Sequence, residues 1–250
     1  MENITFKNIN VIGNVAIEND LYAILHYPEM LNRYDSNFMQ FKKSPSFAEF
    51  REAEIALKEF HVKNGQNHLK FCFVENEKLA TEVEEYLKEN KYDIGFLELY
   101  AIKPECFPIT ASTGSIEIKV VTEDTLEDYL SLNFEHDLEY GESFAKKKID
   151  LNKNHFRDAG IVQLLAFKQG SAVGYVDVIL ADKTVEIDGL QVKKEFQREG
   201  IGTELQKFVM ETFPEHTVIL VADGEDTPRE MYQKQNYQML GFRYEALKVE

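Results

Sequence analysis

The chain has 250 residues, of which 44% are hydrophobic and 12% aromatic, and a formal net charge of -16. That length exceeds the ~150 residues typical of one domain and points to two. The acid excess is present in both halves, with 12 basic against 18 acidic residues over 1–110 and 16 against 26 over 111–250, which argues against nucleic acid as a partner and favours a cationic one.

The first ten residues, "MENITFKNIN", lack the basic flank and apolar core of a signal peptide, and no apolar run approaches the ~18 residues of a membrane span. Cys72 and Cys106 have neither CxxC spacing nor a histidine set beside them. A reduced, cytoplasmic, soluble protein without a zinc site is the expectation.

The first predicted element is a helix in "SFAEFREAEIALKEFHVKNG". Ser46 and Glu49 suit a capping box, Phe47, Phe50, Leu57 and Phe60 trace an apolar stripe, and Asn64-Gly65 ends it. Strand-like "HLKFCFVE", a helix from about Leu79 to Asn90 and strand-like "YDIGFLELYA" follow. The aperiodic, proline-containing stretch Ile102 to Gly114 reads as a linker between a domain over 1–110 and one over 115–250.

Beyond it come the strand "SIEIKVV", a helix that Thr125 and Asp128 are placed to cap, and a second helix from about Phe144 to Asp158. Three strands, "IVQLLAFK", "AVGYVDVIL" and "VEIDGLQV", are joined by connections too short for a crossover, so they form an antiparallel meander. A helix from Ile201 to about Phe213, the strand "TVILVAD", a helix from Pro228 to about Asn236 and the strand "GFRYEALKV" complete an α+β chain with a largely antiparallel central sheet. An internal echo supports two related halves: "YLKENKYDIGF" (86–96) and "YQKQNYQMLGF" (232–242) align without gaps at five positions.

Between the strand ending at Val192 and the helix opening at Ile201 lies "KKEFQREGIG". Gly200 and Gly202 let the main chain approach a ligand, the first-turn N–H groups of the helix point outward, and Lys193, Lys194 and Arg198 add positive charge, so the turn is suited to an anion. It is neither a GxxxxGK[ST] loop nor a GxGxxG loop.

"QREGIG" matches the Q/R-x-x-G-x-G/A signature of the GCN5-related N-acetyltransferase (GNAT) superfamily, and "TPREMYQKQNY" resembles that family's late helix. The resemblance covers about residues 115–250. It departs at Pro228, where alanine is usual, and at Asn236-Tyr237, where the family has Gly-Phe; Thr227 and Glu230 would form a capping box there. It implies a GNAT-like acyl-CoA N-acyltransferase fold, preceded by a smaller GNAT-like N-terminal domain that lacks the phosphate-binding turn.

It further implies that acetyl-CoA is held by Gln197, Arg198, Glu199, Gly200, Ile201, Gly202 and Thr203, and by the main chain of Leu190, Gln191 and Val192. Acetyl transfer to an amine needs a general base, because an amine of pKa ~10.4 is protonated at neutral pH, and the departing thiolate benefits from an acid. Glu186 and Asp188 alternate on one strand face; Glu186 sits six residues before Val192, a spacing at which part of the family carries its base, and Asp188 is the alternative. Gly189 beside them could mark a bulge that shifts the face count after it. Tyr232 holds the family's position for the general acid; a continued helix would point Tyr237 about 140° away from it.

The expected activity is N-acetyl transfer from acetyl-CoA to a primary, cationic amine of a small molecule or peptide, by direct attack in a ternary complex. The alternative is a non-catalytic acyl-CoA-binding regulatory module. No membrane partner is expected, and an N-terminal half without its own ligand is suited to pairing two copies as a homodimer.

Overall fold

A computed structural model of the chain describes residues 3–108, 114–224 and 228–250. In chain order the elements are β1 (Asn14–Glu18), β2 (Tyr22–His26), β3 (Phe38–Phe41), α1 (Phe47–Lys63), β4 (His68–Cys72), α2 (Thr81–Glu89), β5 (Asp93–Ile102), β6 (Ile116–Val120), α3 (Leu126–Asp137), α4 (Glu142–Arg157), β7 (Ile161–Lys168), β8 (Ser171–Leu180), β9 (Thr184–Val192), α5 (Ile201–Thr212), β10 (Thr217–Asp223), α6 (Pro228–Lys234) and β11 (Gln238–Val249).

Two compact units result, and neither is a continuous stretch of sequence. One comprises Val11–Leu99, Met239–Glu250 and the described part of Ala222–Arg229; the other comprises the described parts of Met1–Asn10 and Tyr100–Val221, with Glu230–Gln238.

In the first unit, β1-β2-β3-β4-β11-β5 is the strand order. The last strand of the chain, β11, pairs antiparallel with β4, from Glu245 opposite Cys72 to Val249 opposite His68. Helix α1 packs on this sheet because its sequence repeats apolar residues at helical spacing. Phe50, Ala53 and Leu57 are fully buried against Phe41, Phe71 and Phe73. The stripe is rotated from the expected one: Phe47 is 36% exposed and leans on Tyr86 at 5.6 Å. The capping box forms as the sequence predicts, with Glu49 N–H donating to Ser46 Oγ at 3.3 Å and Ser46 N–H donating to Glu49 Oε2 at 2.9 Å.

The second unit is built on β10-β9-β8-β7-β6. Strands β6 to β9 are antiparallel, as the short connections require, and β10 runs parallel to β9. Side chains alternate across β8, so Tyr175 and Asp177 face α3 and α4 while Gly174 faces α5. Val121, Tyr129, Leu130, Leu132, Leu165 and Tyr175 form the core on the α3 side.

Thr125 does precede α3, yet its side chain makes no cap bond to that helix. Its Oγ1 accepts instead from Thr122 N–H at 2.9 Å, a tight turn that takes up the hydroxyl. The cap expected from Thr227 lies outside the described residues, as do residues 109–113 of the expected linker.

Candidate active site

The centre of the second unit is the point where β9 and β10 part. Their parallel ladder joins Thr184 to Thr217, Val185 to Val218 and Glu186 to Ile219, and no later residue of β9 is paired with β10. From Ile187 to Val192, β8 is the one strand paired with β9 among the described residues, which leaves main-chain N–H and C=O groups turned toward the gap.

Gly189 breaks the regularity of β9, as its position beside the two acids suggests. It adopts φ 60°, and the register with β8 shifts there: Asp177 opposes Asp188, but Tyr175 opposes Gln191. One extra residue on β9 therefore bulges out. Before the bulge Glu186 and Asp188 share a face, and after it Gln191 joins them while Leu190 and Val192 turn to the α5 side. There the packing is close: a Cβ on Gly174 would lie 2.9 Å from the Gln191 carbonyl oxygen, and one on Gly202 would lie 3.4 Å from Leu190 Cδ2.

The chain leaves β9 through a short 3-10 turn, Lys194–Phe196, and enters α5 through two left-handed residues, Arg198 (φ 64°) and Gly200 (φ 84°). No side chain caps α5, so its first-turn N–H groups remain available to an anion. The two glycines differ in purpose. A Cβ on Gly200 would meet nothing within 4 Å, so the left-handed backbone is what requires glycine there, whereas Gly202 lets the helix sit against Leu190.

The side chains around the turn are partly committed elsewhere. Lys193 pairs with Glu135 at 2.9 Å, Glu199 pairs with Lys168, and Gln197 Nε2 donates to the Val192 carbonyl at 3.2 Å. Thr203 Oγ1 accepts from Gln235 at 3.2 Å. Lys194 and Arg198 make no ion pair among the described residues. What the turn offers an anion thus lies mainly in the main chain.

Glu186 is 7% exposed, and Asn10 N–H donates to its Oε2 at 2.7 Å. Burial pushes its carboxyl up to about 8; the negative charge of Asp188 adds to the rise, and the bond from Asn10 opposes it. Asp188 is half-buried and stands opposite Asp177, a like-charge cross-strand pair. Asp177 is compensated on its own side: Tyr129 OH donates to Oδ1, and His155 Nδ1 lies 3.1 Å from Oδ2. Asn10, Asp177 and His155 carry no motif, and only the fold brings them here.

Helix α6 stops at Lys234, and Asn236 takes φ 66°, the left-handed conformation that glycine would supply in the family pattern. The helix therefore does not continue to Tyr237, and the expected divergence of the two tyrosines is replaced by a T-shaped contact of their rings at 5.4 Å. They still differ in environment. Tyr237 is 5% exposed and donates its OH to Gln206 Oε1 at 2.8 Å; Tyr232 is half-buried and also meets the Tyr100 ring at a tilt, 5.3 Å away.

The gapless echo is out of step with the local structure by one residue. The left-handed residues after α2 and α6 are Lys91 and Asn236, and the equivalent bonds from Tyr92 N–H to Leu87 and from Tyr237 N–H to Tyr232 set Tyr92 against Tyr237.

A cavity of about 440 Å³ opens beside the end of β9, between Gln191 and Lys194 on one side and His136 and Glu139 on the other, with Tyr175 contributing to its wall. Among the described residues, no group of three or more His, Cys, Asp or Glu is placed to hold a metal ion, and no helix is long and apolar enough to cross a membrane.

Residues 122–237 match the acetyltransferase (GNAT) family, and residues 4–100 match a domain of unknown function, DUF5613. A functionally unknown conserved protein from Staphylococcus epidermidis ATCC 12228 is 34% identical, with a TM-score of 0.92 over 99% of this chain and 98% of its own. A GCN5-related N-acetyltransferase from Kribbella flavida is 13% identical, with a TM-score of 0.57 over 95% of this chain and 90% of its own. A tandem GNAT protein from the clavulanic acid biosynthesis pathway is 11% identical, with a TM-score of 0.56 over 92% and 79%. None of the curated proteins matches the chain. The last two likenesses carry the fold alone, across both halves; by the family match, residues 122–237 belong to the GNAT acetyltransferase family and follow a DUF5613 domain over residues 4–100.

Proposed function

We propose that the protein is an N-acetyltransferase that transfers the acetyl group of acetyl-CoA to a primary amine by direct attack in a ternary complex. The observation that carries this reading is the parting of β9 from β10 after Glu186, with the uncapped N-terminus of α5 just beyond the free edge of β9. A pantetheine arm would pair with the main chain of Leu190, Gln191 and Val192. The diphosphate would rest on the N–H groups from Gly200 to Thr203, within the turn that runs from Gln197 through Arg198, Glu199 and Ile201 to Gly202.

Acetyl-CoA supplies an activated acyl carbon and a thiolate leaving group. The chain supplies proton handling. Glu186 is the base of this proposal, with Asp188 as the alternative on the same face, and Tyr232 protonates the departing sulfur. A carboxyl held near 8 matches an amine nucleophile better than an ordinary glutamate does, because the driving force for taking the amine's proton is larger.

The same burial favours a second reading. At neutral pH Glu186 is mostly protonated and occupied by the Asn10 N–H, which suits a non-catalytic acyl-CoA-binding module. Thiol release from acetyl-CoA across a panel of amines separates the two. In the enzyme, Glu186→Gln and Tyr232→Phe each lower kcat by about 10²–10⁴ while the affinity for CoA is kept; in the module, no amine releases CoA although CoA binds. Unchanged kcat in Glu186→Gln, Asp188→Asn and Tyr232→Phe would remove the assigned roles.

A further inference from the structure

We infer that the cavity beside β9 receives the distal ammonium of a dicationic acceptor, a short α,ω-diamine whose other nitrogen reacts at Glu186 and Asp188. The inference rests on the transferase reading and gives it a substrate class. Its anchor is Tyr175, which lines the cavity from β8 and is only 5% exposed. The Tyr175 ring is fixed by edge contacts with Tyr129 at 5.6 Å and His136 at 6.5 Å, and its hydroxyl makes no hydrogen bond among the described residues. The hydroxyl opens on the cavity and is not orphaned in the core, so it can accept a hydrogen bond from a ligand there.

The charges around it select the partner's sign. Glu135, Glu139 and Glu195 line the cavity, and burial, with the nearby charges of Asp137, Asp177 and Glu139 added to it, raises the Tyr175 phenol, which therefore stays protonated. Lys193, the nearest cation to the strand end, is already paired with Glu135 at 2.9 Å. Lys194 is the remaining lysine in the wall, and the acids outnumber it. The side of the cavity toward Glu139 therefore suits a cation, while Lys194 stays with the glycine turn. An ammonium would offer three N–H donors to the Tyr175 oxygen and to Glu139.

The bulge at Gly189 links the cavity to the proposed chemistry. It places Gln191, the cross-strand partner of Tyr175, on the face that carries Glu186 and Asp188. From Asp188 to Gln191 the strand advances roughly 7–10 Å, the reach of a short diamine.

Titration calorimetry of the full chain with CoA present, using 1,5-diaminopentane and n-pentylamine as probes, tests the assignment. The diamine is expected to bind about tenfold more tightly. Glu139→Gln and Tyr175→Phe should each erase most of that preference, and Glu139, with its side chain 48% exposed, tolerates the change without risk to the fold. Equal affinity for the two amines, or a preference that survives both substitutions, overturns the inference. The parallel thiol-release assay keeps the two readings apart. Turnover that is equal with monoamine and diamine discards the cavity and keeps the transferase; a variant-sensitive diamine preference without thiol release keeps the cation site and discards the transferase.

Discussion

Replacing Glu186 by glutamine should make the folded protein less sensitive to alkali, and the size of the effect follows from the position of the carboxyl. Glu186 titrates near 8 in the folded protein against 4.5 for an unburied glutamate. Between those values the folded state keeps a proton that the unfolded chain has released, so each rise in pH within the window favours unfolding. The contribution is fully present below pH 4.5 and is lost as pH passes through 8. At 1.36 kcal/mol per unit, the whole window corresponds to roughly 3–5 kcal/mol.

Glutamine keeps the shape and accepts the Asn10 N–H without ionising. The stability difference between Glu186→Gln and the parent should therefore grow steadily from pH 5 to 8 and level off above it. Urea unfolding at closely spaced pH values, followed by a probe in the second unit, measures the difference directly. A difference that stays flat across pH 5–8 would mean that the carboxyl is solvated, and the argument for a tuned base would go with it. In the enzyme reading the same ionisation must appear as a rise of kcat/KM through about pH 8.

Gly200→Ala forces an alanine into a left-handed backbone with open space around its Cβ; it should cost about 1–2 kcal/mol and diminish the thermal shift given by CoA, which differential scanning fluorimetry would show. Tyr237→Phe leaves Gln206 Oε1 without its buried donor and should lower stability by about 1–3 kcal/mol with kcat nearly unchanged, whereas Tyr232→Phe should do the reverse, as paired melting and rate measurements would reveal. In the other unit, His68 is buried beside His61 and Tyr34, and burial lowers its pKa from 6.5 to about 4. Its contribution is present above pH 6.5 and lost as pH falls through 4, about 3 kcal/mol in all; His68→Gln should blunt the acid sensitivity of that unit, read by hydrogen exchange at β4.

Much of the second unit is written in local patterns. The meander follows from connections too short for crossovers, α5 from its apolar spacing, and the turn from Gly200 followed by outward N–H groups. Gly189 signalled the bulge because glycine in a strand needs a local reason. The first 45 residues were not legible: β1 is exposed along its whole length, so its sequence has no buried face to alternate with. Thr125 departs from the cap that its position suggests because its hydroxyl serves a turn as readily as a cap. What surrounds Glu186 was also beyond reach, since Asn10 lies 176 positions away in sequence, and the partnership of Tyr175 with Gln191 depends on the extra residue at the bulge.

The pairing of β4 with β11 has a temporal side. During synthesis Cys72 emerges long before Glu245, its neighbour in the finished ladder. At about 5–20 residues per second the interval is on the order of ten seconds or more. Throughout that time the edge of β4 has no β11 to cover it, and an open strand edge is a template for other chains. A nascent chain stalled before Gln238 should therefore be a better client for chaperones than one released with its final strand in place.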